Sequence, residues 1–421
     1  MTPMRVLLVN TTDKGGGAAI AADRLMHALT ANGVKAKMLV GRKESDSLSV
    51  VGLPSAWRHK AHFVEERLGI WAANGFSREH LWAVDTGSAG TDITRLPEFR
   101  EADVIHMHWV NQGMVSLGGL RRMLATGKPV VWTLHDMWPF TGICHYTQGC
   151  ERYREGCHHC PQLRFPRGRD LSYCVFRKKQ RIFDRYNVHF VAVSRWLAEW
   201  ARLSPLMARQ EVEVIPNALP VGRFSLQDGV ASRRSLGLPE DKTVLVFGAV
   251  RIDDPRKGLR YLKAALETLV ARQVFAREQL CVALFGGVKD GGVLDDFLVE
   301  YRHFGYLKDD KELSRLYAAA DAAVIPSEYE TFGQTVIEAQ ACGCVPVTFA
   351  GSGQEDIVEH RHKGYLSQPR SVEDLADGIA WAVGAHIPPA ELRGNVMRRY
   401  SEEVVAHQYI ALYEKISHQR V

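Results

Sequence analysis

The chain has 421 residues, 46% of them hydrophobic and 24% charged, the balance of a folded globular protein rather than of a disordered or fibrous one. Its 53 basic and 48 acidic side chains leave a net charge of +5, too small over this length to indicate a nucleic-acid partner. No apolar run reaches the roughly 18–20 residues that cross a bilayer, and the first residues do not form a secretory signal. We therefore expect a cytoplasmic protein of two domains.

Short apolar runs alternate with helix-length segments in both halves of the chain, a pattern typical of parallel α/β domains. Runs such as 130–133 (VVWT) and 244–247 (VLVF) suit strands that helices cover on both faces. In the first half, the predicted strands are 5–10, 36–41, 103–109, 129–136, 189–194 and 211–217. In the second half, they are 243–250, 280–286, 322–326 and 345–349.

A domain boundary is predicted near residue 217, where a strand ends in Pro216-Asn217 and an irregular charged stretch follows. The predicted domains are therefore residues 1–217 and 218–400, followed by a closing helical segment at 401–421. Both domains are expected to be doubly wound and Rossmann-like, facing each other across a cleft. Ligands in such sheets bind beyond the carboxyl ends of the strands, so chemistry is expected in the loops that follow them.

The first such loop contains Gly15, Gly16 and Gly17, directly before a predicted helix. Glycines permit close backbone approach, and amides at a helix N-terminus attract phosphate. The motif is not G-x-G-x-x-G, and no acidic residue ends the next strand, which argues against a nicotinamide site. The alternative interpretation is a tight strand–helix connection without a ligand.

The strongest motif is the segment 327–339 (SEYETFGQTVIEA), which follows a predicted strand and enters a helix. Glu330 precedes that helix, and Glu338 lies in its second turn. The backbone amides of Thr331, Phe332 and Gly333 would point at an anion. A phosphate flanked by two carboxylates fits a nucleotide sugar, whereas the alternative is an acidic first turn that only complements the helix dipole.

Arg251 and Lys257 lie in the loop after the strand 243–250. Such cations could neutralise a pyrophosphate leaving group. Because Asp253 and Asp254 crowd the same loop, a solvated surface is the alternative.

Four cysteines occur at the spacing C-x5-C-x6-C-x2-C, namely Cys144, Cys150, Cys157 and Cys160. The closing C-x2-C pair suits structural zinc, and a reducing cytosol disfavours stable disulfides. A disulfide or redox pair and free thiols in a packed loop remain the alternatives.

A predicted helix at 56–71 carries Trp57, Phe63 (or Val64), Leu68 and Trp71 near helical spacing, with basic residues between them. Such a helix could lie on an anionic membrane surface, and the alternative is a helix packed on the core.

Together, these motifs resemble the GT-B glycosyltransferases of the large retaining family 4. The resemblance covers nearly the whole chain and also includes 103–109 (DVIHMHW), 133–136 (TLHD) and 214–220 (VIPNALP). In this family the motif is more commonly Glu-Gly-Phe-Gly, and Thr331 stands here in place of its first glycine. Residues 133–163 resemble the corresponding segment of a narrower branch of this family, which includes colanic acid and capsule-type transferases.

The resemblance implies roles for individual residues. Glu330 would contact the donor sugar and Glu338 the ribose hydroxyls, while His135 would lie near the transferred sugar. The residues that would hold the diphosphate are Arg251, Lys257, Gly16, Gly17 and the amides of 331–333. His106 and His108 are assigned no catalytic role. Residues 1–217 would form the acceptor side, 218–400 would bind the nucleotide sugar, and 401–421 would cross back to the first domain.

The implied function is a retaining, hexosyltransferase-type enzyme of bacterial exopolysaccharide, capsule or lipopolysaccharide biosynthesis. It would transfer a sugar from a nucleotide sugar to a saccharide or lipid-linked acceptor, in the cytoplasm or at the inner face of the membrane. No Asp-x-Asp occurs, so no catalytic divalent metal is expected. A catalytically silent scaffold and a sugar-nucleotide epimerase are the competing hypotheses.

Overall fold

The computed structural model describes residues 3–418, so residues 419–421 of the predicted closing segment lie outside the described residues. The chain forms two compact units. The first unit comprises Met1–Pro216 and Val405–Val421, and the second comprises Asn217–Val404. Each unit contains one parallel sheet and its own helices.

The first unit contains a seven-stranded sheet in the order β3-β2-β1-β4-β5-β6-β7, and all neighbouring strands are parallel. Its strands are β1 (Arg5–Thr12), β2 (Lys35–Arg42), β3 (Val50–Gly52), β4 (Val104–Met107), β5 (Val130–Leu134), β6 (His189–Ala192) and β7 (Glu211–Val214). Its helices before the boundary are α1 (Gly17–Ala31), α2 (Ala56–Ala73), α3 (Pro97–Glu101), α4 (Leu117–Ala125), α5 (Leu171–Phe183) and α6 (Arg195–Arg202). Every residue of β4 and β5 is buried, as expected for strands covered on both faces.

The second unit contains a six-stranded parallel sheet in the order β10-β9-β8-β11-β12-β13. Its strands are β8 (Thr243–Arg251), β9 (Leu280–Gly287), β10 (Glu300–His303), β11 (Ala322–Ile325), β12 (Val345–Phe349) and β13 (Tyr365–Ser367). Its helices are α7 (Gly229–Leu236), α8 (Leu259–Ala271), α9 (Asp310–Ala319), α10 (Gln334–Ala341), α11 (Val372–Gly384) and α12 (Pro389–Tyr400). The last helix of the chain, α13 (Glu402–His418), begins in this unit and continues into the first.

Two tyrosines fix α13 to the sheet of the first unit. The hydroxyl of Tyr413 lies 2.7 Å from Nδ1 of His106 on β4, and the hydroxyl of Tyr409 lies 2.9 Å from Oγ1 of Thr133 on β5. All four side chains are buried. The end of the described chain is therefore an integral part of the first unit.

Both sheets reverse their strand order at one point, between β1 and β4 in the first unit and between β8 and β11 in the second. In doubly wound sheets, ligands bind outside the carboxyl ends of the strands at this point. The predicted fold class, with two Rossmann-like α/β units, is confirmed. Within residues 3–418, no helix is both long enough and apolar enough to span a membrane.

Candidate active site

In the second unit, the loops that follow β8 and β11 lie against each other. The amide of Glu328 donates to the carbonyl of Arg256 at 2.9 Å. Gly258 adopts a φ of +81°, and a Cβ at this position would lie 2.0 Å from the carbonyl oxygen of Pro326. Only glycine permits this approach, which holds the two loops in contact at the point where the strand order reverses.

This contact brings Lys257 and Glu330 together. The Lys257 ammonium forms an ion pair with Oε1 of Glu330, and the two side chains are 30% and 18% exposed. Two residues that the sequence assigned to donor binding from separate motifs therefore lie side by side. Their charges are partly shielded from water, which strengthens their interaction with each other and with a bound ligand.

The residues that follow Glu330 in its motif form the N-terminal end of α10 and the turn before it. The amide of Gly353 donates to the Glu330 carbonyl at 2.8 Å, and Gly333 caps the helix with a φ of +115°. The Phe332 ring is 2% exposed and packs against Tyr400, so its side chain belongs to the core and its backbone amide alone could meet an anion. Thr331 is half-buried, and Glu338 is buried on α10.

Arg251, predicted in a loop, is the last residue of β8, and its guanidinium pairs with the loop that follows. Its Nε and Nη2 donate to the two carboxylate oxygens of Asp253 at 3.1 and 2.9 Å. This guanidinium, together with the Lys289 amide, holds the pKa of Asp253 well below its usual value. The structure thus places Arg251 on Asp253 and Lys257 on Glu330.

In the first unit, the glycine loop lies open beyond the end of β1. Gly15 and Gly16 adopt φ values of +79° and +90°, and a Cβ on either, or on Gly17, would meet no atom within 4 Å. α1 begins at Gly17 without a side-chain cap. The loop leaves room for a ligand at the amide end of this helix.

His135 follows β5 and is half-buried. Its Nε2 lies 2.9 Å from Nδ1 of His108, which follows β4. Burial lowers the pKa of His135 to about 4 and that of His106 to about 3, so both imidazoles are neutral near pH 7.

A buried polar network next to His135 was not predicted. Asp136 accepts hydrogen bonds from the Trp109 indole at 2.7 Å and from the Trp138 amide at 2.9 Å. His145 bridges Asp136 and Asp85, with its ring nitrogens 2.6 and 2.7 Å from their carboxylate oxygens. Burial alone would raise the pKa of Asp136, but its interactions with His145 and these donors hold it below the usual value.

The four clustered cysteines line one small cavity of about 20 Å³, and all are free thiols. Cys144, Cys157 and Cys160 are buried, and burial raises the pKa of Cys157 to about 12 and that of Cys160 to about 11. The Gly142 amide donates to Cys157 Sγ at 3.2 Å. Across residues 3–418, no three or more His, Cys, Asp or Glu side chains are arranged to hold a metal ion. Three cysteines of the second unit, Cys281, Cys342 and Cys344, are also buried.

Helix α2 exposes an apolar stripe. Trp57 is 77% exposed, Leu68 55% and Val64 43%. Two charged residues of the same helix, Glu66 and Arg67, are buried, and Arg67 pairs with Asp85. Arg67 therefore belongs to the interior and not to a basic outer face.

Two family models match the chain. One described as Glycosyltransferase Family 4 matches residues 15–223, and one described as Glycosyl transferases group 1 matches residues 231–395. Together they cover nearly all of the two units. The chain belongs to the family 4 glycosyltransferases, as its motifs predicted.

Named relatives agree with this assignment. The chain is 32% identical over 185 residues to a D-inositol 3-phosphate glycosyltransferase of Catenulispora acidiphila, covering 41% of the chain and 43% of that protein. It spans between 43% and 61% of the length of three such relatives. An Escherichia coli K12 protein named for colanic acid biosynthesis, the glycosyl transferase WcaC, is 23% identical over 96% of this chain and 97% of its own.

Solved structures share the fold. Anabaena Alr3699/HepE, crystallised with UDP and glucose, superposes with a TM-score of 0.64 at 16% identity, over 98% of this chain and 100% of HepE. At this identity the likeness establishes the fold alone.

Proposed function

We propose that this protein is a retaining glycosyltransferase that uses a nucleotide-sugar donor and a saccharide or lipid-linked acceptor in extracellular polysaccharide assembly. The observation that carries the proposal is the Lys257–Glu330 ion pair at the point where the second sheet reverses its strand order. Family membership, the relative named for colanic acid biosynthesis and the UDP-bound structural neighbour support it.

The second unit binds the nucleotide sugar in this proposal. Glu330 accepts hydrogen bonds from hydroxyls of the donor sugar, and Glu338 from the ribose. Lys257, Arg251 and the amides of 331–333 take the diphosphate, because cations and helix-terminal amides both favour phosphate oxygens.

The first unit serves the acceptor side. Gly16 and Gly17 offer amides to a phosphate, and His135 hydrogen-bonds the transferred sugar. The residues of α13 from Val405 onward belong to the same unit.

The reaction follows front-face attack. The acceptor oxygen forms the new bond to the anomeric carbon on the side from which the diphosphate leaves, and the departing phosphate oxygen takes the acceptor proton. Negative charge accumulates on the leaving diphosphate in the transition state. The Lys257 ammonium therefore lowers the activation barrier by stabilising that charge.

The test is release of nucleoside diphosphate from a panel of UDP-, GDP-, ADP- and TDP-sugars. We expect slow release from one donor, at least about a hundredfold slower in Glu330→Gln. Glu373→Gln, an exposed carboxylate at the start of α11, is the matched control and should retain the wild-type rate.

The same panel separates the competing functions. An epimerase would isomerise the donor sugar without releasing the nucleotide, and a silent scaffold would leave every donor unchanged even with acceptor present. Either result would contradict the proposed transfer.

We further propose that the four cysteines that line this cavity bind a structural Zn²⁺. The convergence of Cys144, Cys150, Cys157 and Cys160 on a space of about 20 Å³, room for one water-sized body, supports this. Metal analysis of protein purified without chelator should find one zinc, lost in Cys157→Ser and kept in the exposed control Cys174→Ser. Metal-free wild-type protein would refute the site.

Contact with the inner face of the membrane is proposed through the apolar stripe of α2, defined by Trp57, Val64 and Leu68. Flotation with anionic vesicles should carry the wild-type protein but not a Trp57→Ser, Leu68→Ser variant. Equal flotation of both would remove this proposal. The matching control is Leu48→Ser, which changes another exposed apolar residue outside α2.

A further inference from the structure

Three histidine rings form a row at the carboxyl ends of β4 and β5. The centroids of His106 and His108 are 4.3 Å apart, and those of His108 and His135 are 5.2 Å apart. His106 and His108 are 0% and 2% exposed. The row therefore runs from the core of the first unit to the half-buried ring of His135.

The inner histidine has a partner at each ring nitrogen. Nδ1 of His106 lies 2.7 Å from the Tyr413 hydroxyl, and Nε2 lies 2.7 Å from Oγ1 of Thr133. Hydroxyls both donate and accept, so His106 is satisfied in either tautomer.

The ring of the middle histidine, His108, has one hydrogen-bond partner among the described residues. Nδ1 of His108 lies 2.9 Å from Nε2 of His135, whereas the buried Nε2 of His108 has no hydrogen-bond partner among the described residues. Burial lowers the pKa of all three rings, so each carries a single proton near pH 7. The 2.9 Å contact is thus one hydrogen bond between two neutral rings.

That bond can run in two directions. If His135 donated, His108 would keep its proton on Nε2, a buried N–H without an acceptor. If His108 donates, only a bare ring nitrogen remains unpaired. A buried N–H without an acceptor is the rarer and costlier arrangement, so the proton lies on Nδ1 of His108.

We infer that His108 is a positioning residue that donates its Nδ1–H to Nε2 of His135 and thereby fixes His135 in the tautomer protonated at Nδ1. The inference rests on the proposed place of His135 beside the transferred sugar. In this tautomer, His135 presents a hydrogen-bond donor, suited to a sugar oxygen, and not a base. The acceptor proton then has to leave by another route, which agrees with its transfer to the departing diphosphate.

The direct test is the ¹⁵N spectrum of the wild-type protein labelled at histidine, with the His135 signals assigned from a His135→Gln variant. We expect His135 to show a protonated Nδ1 and an unprotonated Nε2 at pH 7.5. A protonated Nε2 on His135 would overturn the inference. This readout needs no substrate, so it stands even if the proposed activity fails.

Variants at position 108 then test the positioning role. Asparagine can place its amide N–H where Nδ1 of His108 lies, whereas leucine cannot. We expect His108→Asn to keep kcat within about threefold and His108→Leu to lose roughly tenfold or more, with the donor KM little changed. Wild-type kcat in a folded His108→Leu would refute the role, and the exposed His27→Asn on α1 serves as the control.

Discussion

Lys257 and Glu330 form an ion pair, so a change in one alters the electrostatic environment of the other. Replacing the lysine leaves Glu330 without its cation and a bound diphosphate without a positive partner. We expect Lys257→Met to lower turnover roughly a hundredfold, because the Lys257 ammonium stabilises the diphosphate most strongly as it departs.

Nucleoside diphosphate release, measured with saturating donor, checks this expectation. Arg272→Met is the matched control, since Arg272 pairs with Asp377 at the far end of α8. A Lys257→Met variant that turns over like Arg272→Met would remove Lys257 from the mechanism.

His145 holds two buried carboxylates at once. Glutamine carries its N–H groups on a single nitrogen, so His145→Gln cannot span Asp85 and Asp136 as the two ring nitrogens do, and one carboxylate loses one of its hydrogen bonds. We expect the free energy of unfolding of the first unit to fall by about 2–4 kcal/mol.

Urea unfolding followed by tryptophan fluorescence measures this, because eight of the nine tryptophans lie in the first unit. His158→Gln, a more exposed histidine of the same unit, should cost little. Equal losses in the two variants would show that the bridge over Asp85 and Asp136 adds no stability.

The sequence indicates Lys257 and Glu330 because each lies in a short motif directly after an apolar strand. It gives no such indication for Asp85, whose partner His145 is 60 residues away. Nor does it show that Phe332 packs into the core, since that depends on Tyr400 from α12. Pairings between distant segments depend on how the strands are ordered, which a single sequence does not state.

Gly258 lies where the loops after β8 and β11 meet, at a point too close for any side chain. In Gly258→Ala, the new Cβ would meet the Pro326 carbonyl, in addition to the strain of a positive φ. We expect weaker donor binding and a loss of stability clearly above the roughly 1–3 kcal/mol that backbone strain alone costs.

Gly33 provides a matched comparison, because its φ of +85° is similar and no atom lies within 4 Å of a Cβ there. Gly33→Ala should therefore show the strain without the clash. Thermal unfolding of both variants separates the two costs, and equal losses would contradict the proposed contact.

Helix α13 is held to the first sheet by polar as well as apolar contacts. Tyr413→Phe removes the hydroxyl that pairs with His106 but keeps the ring. We expect a loss of about 1–2 kcal/mol in the urea transition of the first unit. Tyr306→Phe, an exposed tyrosine of the second unit, should leave that transition unchanged, and a Tyr413→Phe variant of full stability would show the bond to be dispensable.

Buried strands were predictable, because continuous apolar runs mark strands that are buried on both faces. The edge strands β3, β10 and β13 were not predicted, since β3 and β13 have only three residues each and β10 is not buried. All four residues of β10 are exposed, so its sequence carries no apolar signal.

Across the whole molecule, the buried histidines make stability depend on pH. An unfolded chain protonates these imidazoles around pH 6.5, whereas folded His106 and His135 take up protons only near pH 3 and 4. Between these values the unfolded chain binds more protons, so acidification favours unfolding. We expect a loss of about 1.4 kcal/mol per histidine for each pH unit below 6.5, and no contribution from them above it.

Thermal unfolding at pH 7.5 and 5.5 checks this dependence. His106→Asn should reduce the difference between the two pH values, while the exposed His27→Asn should not. An unchanged difference in His106→Asn would exclude that ring as a source of the acid sensitivity.

The return of α13 to the first unit also bears on how the protein is made. A ribosome adds about 5–20 residues per second, so the roughly 190 residues between Pro216 and Val405 take on the order of 10–40 s to synthesise. During that interval the nascent first unit exists without the helix that carries Tyr409 and Tyr413, while the second unit emerges as one unbroken stretch. The half of the protein that is translated first is thus the half that is completed last.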